Sequence, residues 1–151
     1  MLTNHGEKFI ARTMFEKGKA FLGAALLVNQ KDGHPAVVLH LLCQGIEIIL
    51  KALLLGKDYA QYKPQLRCLG HNLPKVAAAA RHATGLHIFT HGTLEELKTL
   101  SKFYQEHLLR YASRVDIYID PRTIPSRRVL RHGIALIKHI DRIGLFHEDA
   151  S

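Results

Sequence analysis

Apolar positions recur at helical intervals along almost the whole chain. Phe9, Ile10, Met14, Phe21, Ala24, Ala25 and Val28 follow Asn4-x-x-Glu7, which has the spacing of a capping box, and the pattern stops at Lys31-Asp32-Gly33. A first helix is predicted over roughly residues 5–30. Pro35 suits the first turn of a second helix that runs to Gly56, and from Ala36 to Leu55 its only polar side chains are His40, Gln44, Glu47 and Lys51. Spaced four, three and four apart, these make one polar stripe on a greasy cylinder. Glu47 and Lys51 near its middle argue against a membrane span.

From Gly56 to Gly70, Tyr59, Tyr62 and Pro64 interrupt the periodicity, and an ordered loop is expected. Asn72 then reads as an N-cap, with Pro74 in the first turn and Val76 to Ala83 helical until Gly85. Thr93-x-x-Glu96 is a second capping-box candidate. Behind it Leu94, Leu97, Leu100, Tyr104, Leu108 and Tyr111 continue one apolar face, predicting a fourth helix that ends near Ala112. Val115, Ile117 and Ile119 alternate with Asp116, Tyr118 and Asp120, a strand period with no second strand to pair, so an extended connector is expected. A fifth helix starts near Pro125 or Ser126, points Val129, Leu136, Ile140 and Ile143 inward and stops near Gly144. The fold class is therefore all-α, an antiparallel bundle of about five helices in one domain over residues 1–151.

Composition adds direction to this outline. Hydrophobic residues at 47% and charged residues at 23% are values of a chain that folds alone. Lys plus Arg outnumber Asp plus Glu by 21 to 13, a formal charge of +8, which favours anionic partners. Two cysteines, Cys43 and Cys68, make neither a disulfide framework nor a paired metal motif, so buried or inert thiols are expected. The opening residues lack the layout of a signal peptide, and together with the cysteines this points to a cytoplasmic chain without a membrane segment.

The run from Ala36 to Leu54, with Glu47 four residues before Lys51-Ala52-Leu53-Leu54, followed by His71-Asn72-Leu73 and by Leu109-Arg110-Tyr111, resembles the HEPN domain family over roughly residues 9–112. That resemblance implies a helical bundle, usually dimeric, with a cleft at the dimer interface. Many such domains are metal-independent RNA-cleaving toxins or anti-phage factors, marked by an Arg with a His four to six residues later. Others bind ligands or act as scaffolds, often beside a nucleotidyltransferase partner. Here Arg110 is followed by Tyr111-Ala112-Ser113-Arg114-Val115-Asp116, without a histidine. The resemblance thus implies a non-catalytic module that binds RNA, a nucleotide or a protein partner through a basic inter-helix or dimer cleft, as a homodimer and without a cofactor.

The ligand-binding candidates are His40, Glu47, Lys51, Arg110, Tyr111 and Arg131. Burying Glu47 and Lys51 is costly unless they pair or meet a ligand, whereas a solvent-facing stripe would make them an ordinary helical pair. His71 and Asn72 could serve only to cap the third helix. Arg122, Arg127, Arg128 and Arg131 crowd the start of the fifth helix, where the macrodipole disfavours cations and a phosphate would offset the cost. Tyr59, Tyr62, Tyr104, Tyr111 and Tyr118 offer rings for stacking.

Metal-free RNA cleavage needs a base beside the 2′-hydroxyl and a cation on the phosphate. Arg127 or Arg128 with His132 supplies that pair in the alternative reading, an endoribonuclease; Arg81 and His87 straddle Gly85 and fit it less well. A third reading is a structural dimerisation or assembly module. His82, His87 and His91 lack the carboxylate or Cys that would complete a metal spacing, so no metal is expected.

Overall fold

The computed structural model describes residues 2–147. Among these the chain is all-α: α1 (Asn4–Gln30), α2 (Pro35–Lys57), α3 (Tyr59–Tyr62), α4 (Gln65–Leu69), α5 (Leu73–Thr84), α6 (His91–Gln105) and α7 (Arg127–Ile143), with 3-10 turns at Arg114–Ile117 and Pro121–Thr123. Five are the long helices read from periodicity. The other two, α3 and α4, occupy the stretch expected as loop. Asp58 Oδ1 accepts from the Gln61 amide at 2.9 Å to start α3, and Tyr62 and Leu69 are buried anchors.

α2 is the centre. It is long and apolar enough to cross a membrane, and here it forms the core of the bundle, with thirteen of its residues buried. α1 lies antiparallel along it: Gly18 meets Gly45 and Ile49, and Leu22 meets Gly45, joined by a link at residues 31–34. The backbones approach closely there. A Cβ on Gly18 would fall 2.6 Å from Ile49 Cγ1 and 3.0 Å from the Ile49 nitrogen, and one on Gly45 would fall 3.1 Å from both the Gly18 oxygen and the Leu22 nitrogen. α7 crosses the same place through Gly133.

This contact corrects the expected inner face of α1. The buried positions are Ala11, Phe15, Gly18, Leu22 and Ala25, a regular four-three-four-three stripe, while Phe9 is 58% exposed. Size alone pointed to Phe9 and Phe21, but the small residues let two helices touch. Gly23, on the same helix, faces solvent with nothing within 4 Å of an added Cβ. Gly23→Ala is expected to raise stability by about 0.5–1 kcal/mol through helix propensity, read as a higher urea midpoint at unchanged slope.

Several boundaries move for identifiable reasons. Thr3, not Asn4, caps α1, its hydroxyl accepting from the Gly6 amide at 3.1 Å. Thr90 caps α6, and the expected cap Thr93 sits inside the first turn. α6 ends at Gln105 rather than near Ala112. His107 adopts φ 59°, and the Leu108 amide closes back on the Phe103 carbonyl at 3.0 Å, a left-handed stop. The apolar face therefore ends at Tyr104, and Tyr111 is exposed.

The connector after it is a 3-10 turn, closed by a Ser113–Asp116 capping box. Local hydrogen bonds replace the extended backbone that alternation implied. Asn72 caps α5 and Gly85 and Gly144 end α5 and α7 in the left-handed conformation, all as predicted. Ile143, expected inward, is 51% exposed at the end of α7. Cys43 is buried, but Cys68 is exposed on α4.

Candidate functional site

The α2 stripe faces inward. Glu47 is 4% exposed, and three groups converge on its carboxylate. Lys51 Nζ donates to Oε1 at 2.6 Å and also to the Gly70 carbonyl at 2.7 Å. The Tyr104 hydroxyl on α6 donates to Oε2 at 2.5 Å, and His71 Nδ1 lies 3.0 Å from the same oxygen. A carboxylate only accepts, so the His71 proton sits on Nδ1. Gln44 Oε1 stands 3.0 Å from the Tyr104 oxygen; because the one phenol proton goes to Glu47, exchanging the Gln44 amide oxygen and nitrogen would let its NH2 donate there.

Electrostatics follow from this geometry. Burial alone would raise the Glu47 carboxyl, but the hydrogen bonds from Lys51, Tyr104 and His71 outweigh it and hold the group below the ordinary carboxylate range. Burial, and then the ionised Glu47, push the Tyr104 phenol upward. The Cys43 thiol is likewise pushed up, by burial and then by Glu47, and stays protonated in the core.

Above this network lies a ring of imidazoles. His40 and His71 flank the Tyr104 ring at centroid distances of 5.8 and 5.6 Å, and His107 stands 6.3 Å from His71. His40 Nδ1 is buried with no hydrogen-bond partner among the described residues. Burial lowers the His40 pKa, and Arg110 and His107 lower it further, which places Arg110 in the same electrostatic neighbourhood. Arg110 itself lies 5.3 Å over the Tyr111 ring. His40, Glu47 and Lys51 thus share one neighbourhood around Tyr104, and the exposed Arg110, stacked on Tyr111, acts on His40 electrostatically.

Arg131 is not with them. It lines an open groove of about 900 Å3 on α7 with Glu96, Arg127, Arg128, Leu130, Ile134, Ala135 and Lys138. Arg127, Arg131 and Lys138 are four and seven residues apart, hence one ridge, and all three are exposed without an ion pair among the described residues. The lone carboxylate of the groove, Glu96, is already engaged. Its Oε2 accepts from the Arg128 and Val129 amides at 2.8 and 3.2 Å, and Oε1 lies 3.8 Å from Arg128 Nε. Ser126 makes no side-chain cap, so Glu96 caps α7 from the neighbouring helix.

The Arg128 and His132 pair meets the first turn of α6. Arg128's guanidinium lies across Gly92, and His132 Nδ1 is 2.6 Å from the hydroxyl of buried Thr93, which also meets the Thr90 hydroxyl at 2.9 Å. Tyr104 and Thr93 occupy opposite ends of α6, eleven residues and about 16 Å apart along its axis. The sequence candidates therefore form two groups, not one cleft. Among the described residues no three His, Cys, Asp or Glu side chains converge as a metal site requires, and His82, His87 and His91 are no exception.

Sequence reading did not find the joining of His71 and Tyr104 at Glu47, nor His107, because these contacts span 24 or more residues and leave no local pattern. Lys138 was findable, since its spacing from Arg131 sets it on the same face. No family model, no curated protein and no solved structure matches the chain.

Proposed function

We propose that this chain is a non-catalytic binding module that takes a phosphate-rich ligand, RNA or a nucleotide, on the basic face of α7. One observation carries the reading. Arg127, Arg131 and Lys138 form a ridge about 16 Å long whose charges have no carboxylate partner among the described residues, because Glu96 is spent on capping the helix. Arg127 and Arg131, one turn apart, repel each other on the helix, and an anionic ligand relieves that repulsion. Leu130, Ile134 and Ala135 floor the same groove and give apolar contact beside the charges.

A metal-independent endoribonuclease is the second reading, favoured by the meeting of Arg128 and His132 at one turn of α6. With Nδ1 on Thr93, the His132 ring leaves Nε2 as the nitrogen for proton transfer.

Labelled single-stranded and tRNA-like RNA, incubated in EDTA, separates the two. The binding reading expects a salt-sensitive shift without cleavage. In the variant Arg127→Ala, Arg131→Ala, Lys138→Ala the slope of log affinity against log salt should shrink by about 2, at ~0.7 per lost phosphate contact. An unchanged slope overturns it. Cleavage that disappears in His132→Ala establishes the second reading instead.

A further inference from the structure

We propose that the groove between α5 and α6 is a docking site for an acidic peptide segment, one that carries Asp or Glu beside large apolar side chains. The inference goes beyond the polyanion reading of α7 and does not depend on it.

The groove has a volume of about 520 Å3 and shares no lining residue with the one on α7. Glu95 lines it, whereas Glu96, about 100° further round α6, borders the other. One wall is a single face of α5, with Pro74, Ala77, Ala78, Arg81 and His82 at three- and four-residue intervals. That face continues to Gly85, eleven residues and about 16 Å along the axis. The first turns of α6 form the other wall through His91, Leu94, Glu95 and Lys98. The link at residues 85–90 closes one end, and its Ile88 and Phe89 pack against the core while lining the groove. Ala77 is the one buried residue of the lining. A small-molecule pocket encloses most of its ligand, whereas a long trough open to solvent suits a chain laid along it, about five residues at ~3.3 Å each.

Chemistry identifies the chain. The floor is apolar, made by Ala77, Ala78, Ile88, Phe89 and Leu94, and the rim is basic, with Arg81, Lys98 and three imidazoles, His82, His87 and His91. Its one carboxylate, Glu95, already accepts from Lys98 Nζ at 2.7 Å. Arg81 is exposed and makes no ion pair among the described residues. No acid can reach it from its own stretch of chain, because residues 59–94 contain Lys63, Arg67, Lys75 and Arg81 but no Asp or Glu. On α6 the next carboxylate, Glu96, is seated on the α7 amides. The rim therefore lacks anions, and the floor lacks apolar cover. Carboxylates alternating with large apolar side chains supply both at once.

The test uses the full chain and a displayed library of random peptides of about 10 residues, longer than the groove at ~3.3 Å per residue. Peptides are selected on the wild type and depleted on Ala78→Glu with Arg81→Glu, which puts two carboxylates into the trough. Both positions are exposed on α5, and an unchanged circular dichroism spectrum and urea midpoint check that the variant is folded. The surviving peptides should be rich in Asp or Glu and in large apolar residues. Read by fluorescence anisotropy, they should bind the double variant at least about tenfold more weakly, since like charges then face each other. Arg81→Gln alone, the milder variant, should weaken them in the same direction. Amides in place of the peptide carboxylates, or serines in place of its apolar residues, should each weaken binding to the wild type. The α7 triple variant should bind the peptides as the wild type does.

Surviving peptides that are neutral or basic, or the lack of any peptide that depends on the groove, overturn the proposal and leave the α7 reading standing. Single-stranded RNA that loses affinity in the α5 variant and keeps it in the α7 variant would make this groove the nucleic-acid site and overturn both. A homodimer, seen by sedimentation, that the α5 variant dissociates would make the groove a self-interface and overturn the peptide site.

Discussion

Replacing Glu47 with Gln is expected to lower stability by about 3–5 kcal/mol, the range for breaking a buried ion pair from one side. Lys51 is 12% exposed at its side chain and would keep the Gly70 carbonyl and a neutral amide oxygen as acceptors, leaving its charge without a counterion. Tyr104 would retain Gln44, and His71, 55% exposed, would turn to water, so the loss concentrates on Lys51. The companion variant Glu47→Leu with Lys51→Met removes both charges and should recover most of the stability, because a hydrophobic replacement of a buried pair avoids its desolvation cost. Urea unfolding followed by circular dichroism measures both. A loss below about 1 kcal/mol for Glu47→Gln would mean that water screens the pair as it does at a surface.

Acid dependence gives the same residues a second readout. The folded carboxyl of Glu47 holds its proton less tightly than its unfolded reference near 4.5. Its contribution is therefore complete above that pH and is lost as pH falls through the depressed folded value. Subtracting the Glu47→Gln curve from the wild-type curve should isolate this loss. His40 behaves alike in direction for the opposite charge type. Its pKa is lowered, first by burial, so the folded state resists protonation and stability falls as pH drops below 6.5. That upper descent should survive in Glu47→Gln.

The all-α class and the five long helices were legible because each carries its own apolar period and, at Asn72, Gly85 and Gly144, its own stop or start signal. The polar stripe on α2 was legible as a stripe, but its direction was not. Whether His40, Gln44, Glu47 and Lys51 faced water or the interior depended on Tyr104, 57 residues beyond Glu47. The capping box at Thr93 and Glu96 shows why local signatures fail. Both residues have the right spacing for their own helix, yet Thr93 is held by His132 and Glu96 by the amides of α7, partners 32 or more residues away. A tertiary donor that satisfies a helix end outranks the local pattern. The basic cluster at α7 was visible, while the anion already seated at that helix start was not, and Glu96 shifts the unanswered charge from the helix end to the Arg127, Arg131 and Lys138 ridge.

Gly18→Val is expected to destabilise the fold by about 2–3 kcal/mol, the upper part of the range for overpacking. The added Cβ alone would lie 2.6 Å from Ile49 Cγ1 and 3.0 Å from the Ile49 nitrogen. A side chain could rotate away, but the backbone of a central helix cannot, so α1 and α2 must separate. Gly133→Ala is a fair comparison. There the 2.6 Å contact is with the terminal methyl of Ile46, which moves by a rotamer change, so its cost should be smaller. With Gly23→Ala raising stability, the same helix then yields opposite signs from position alone. Gly45 and Ile49 turn toward α1 while Gln44 and Glu47 turn toward α6, so pushing α2 off α1 drives its polar stripe into Tyr104. Near-ultraviolet tyrosine dichroism of Gly18→Val should therefore change along with the urea midpoint, and a shifted midpoint with an unaltered tyrosine signal would mean that α1, not α2, gives way.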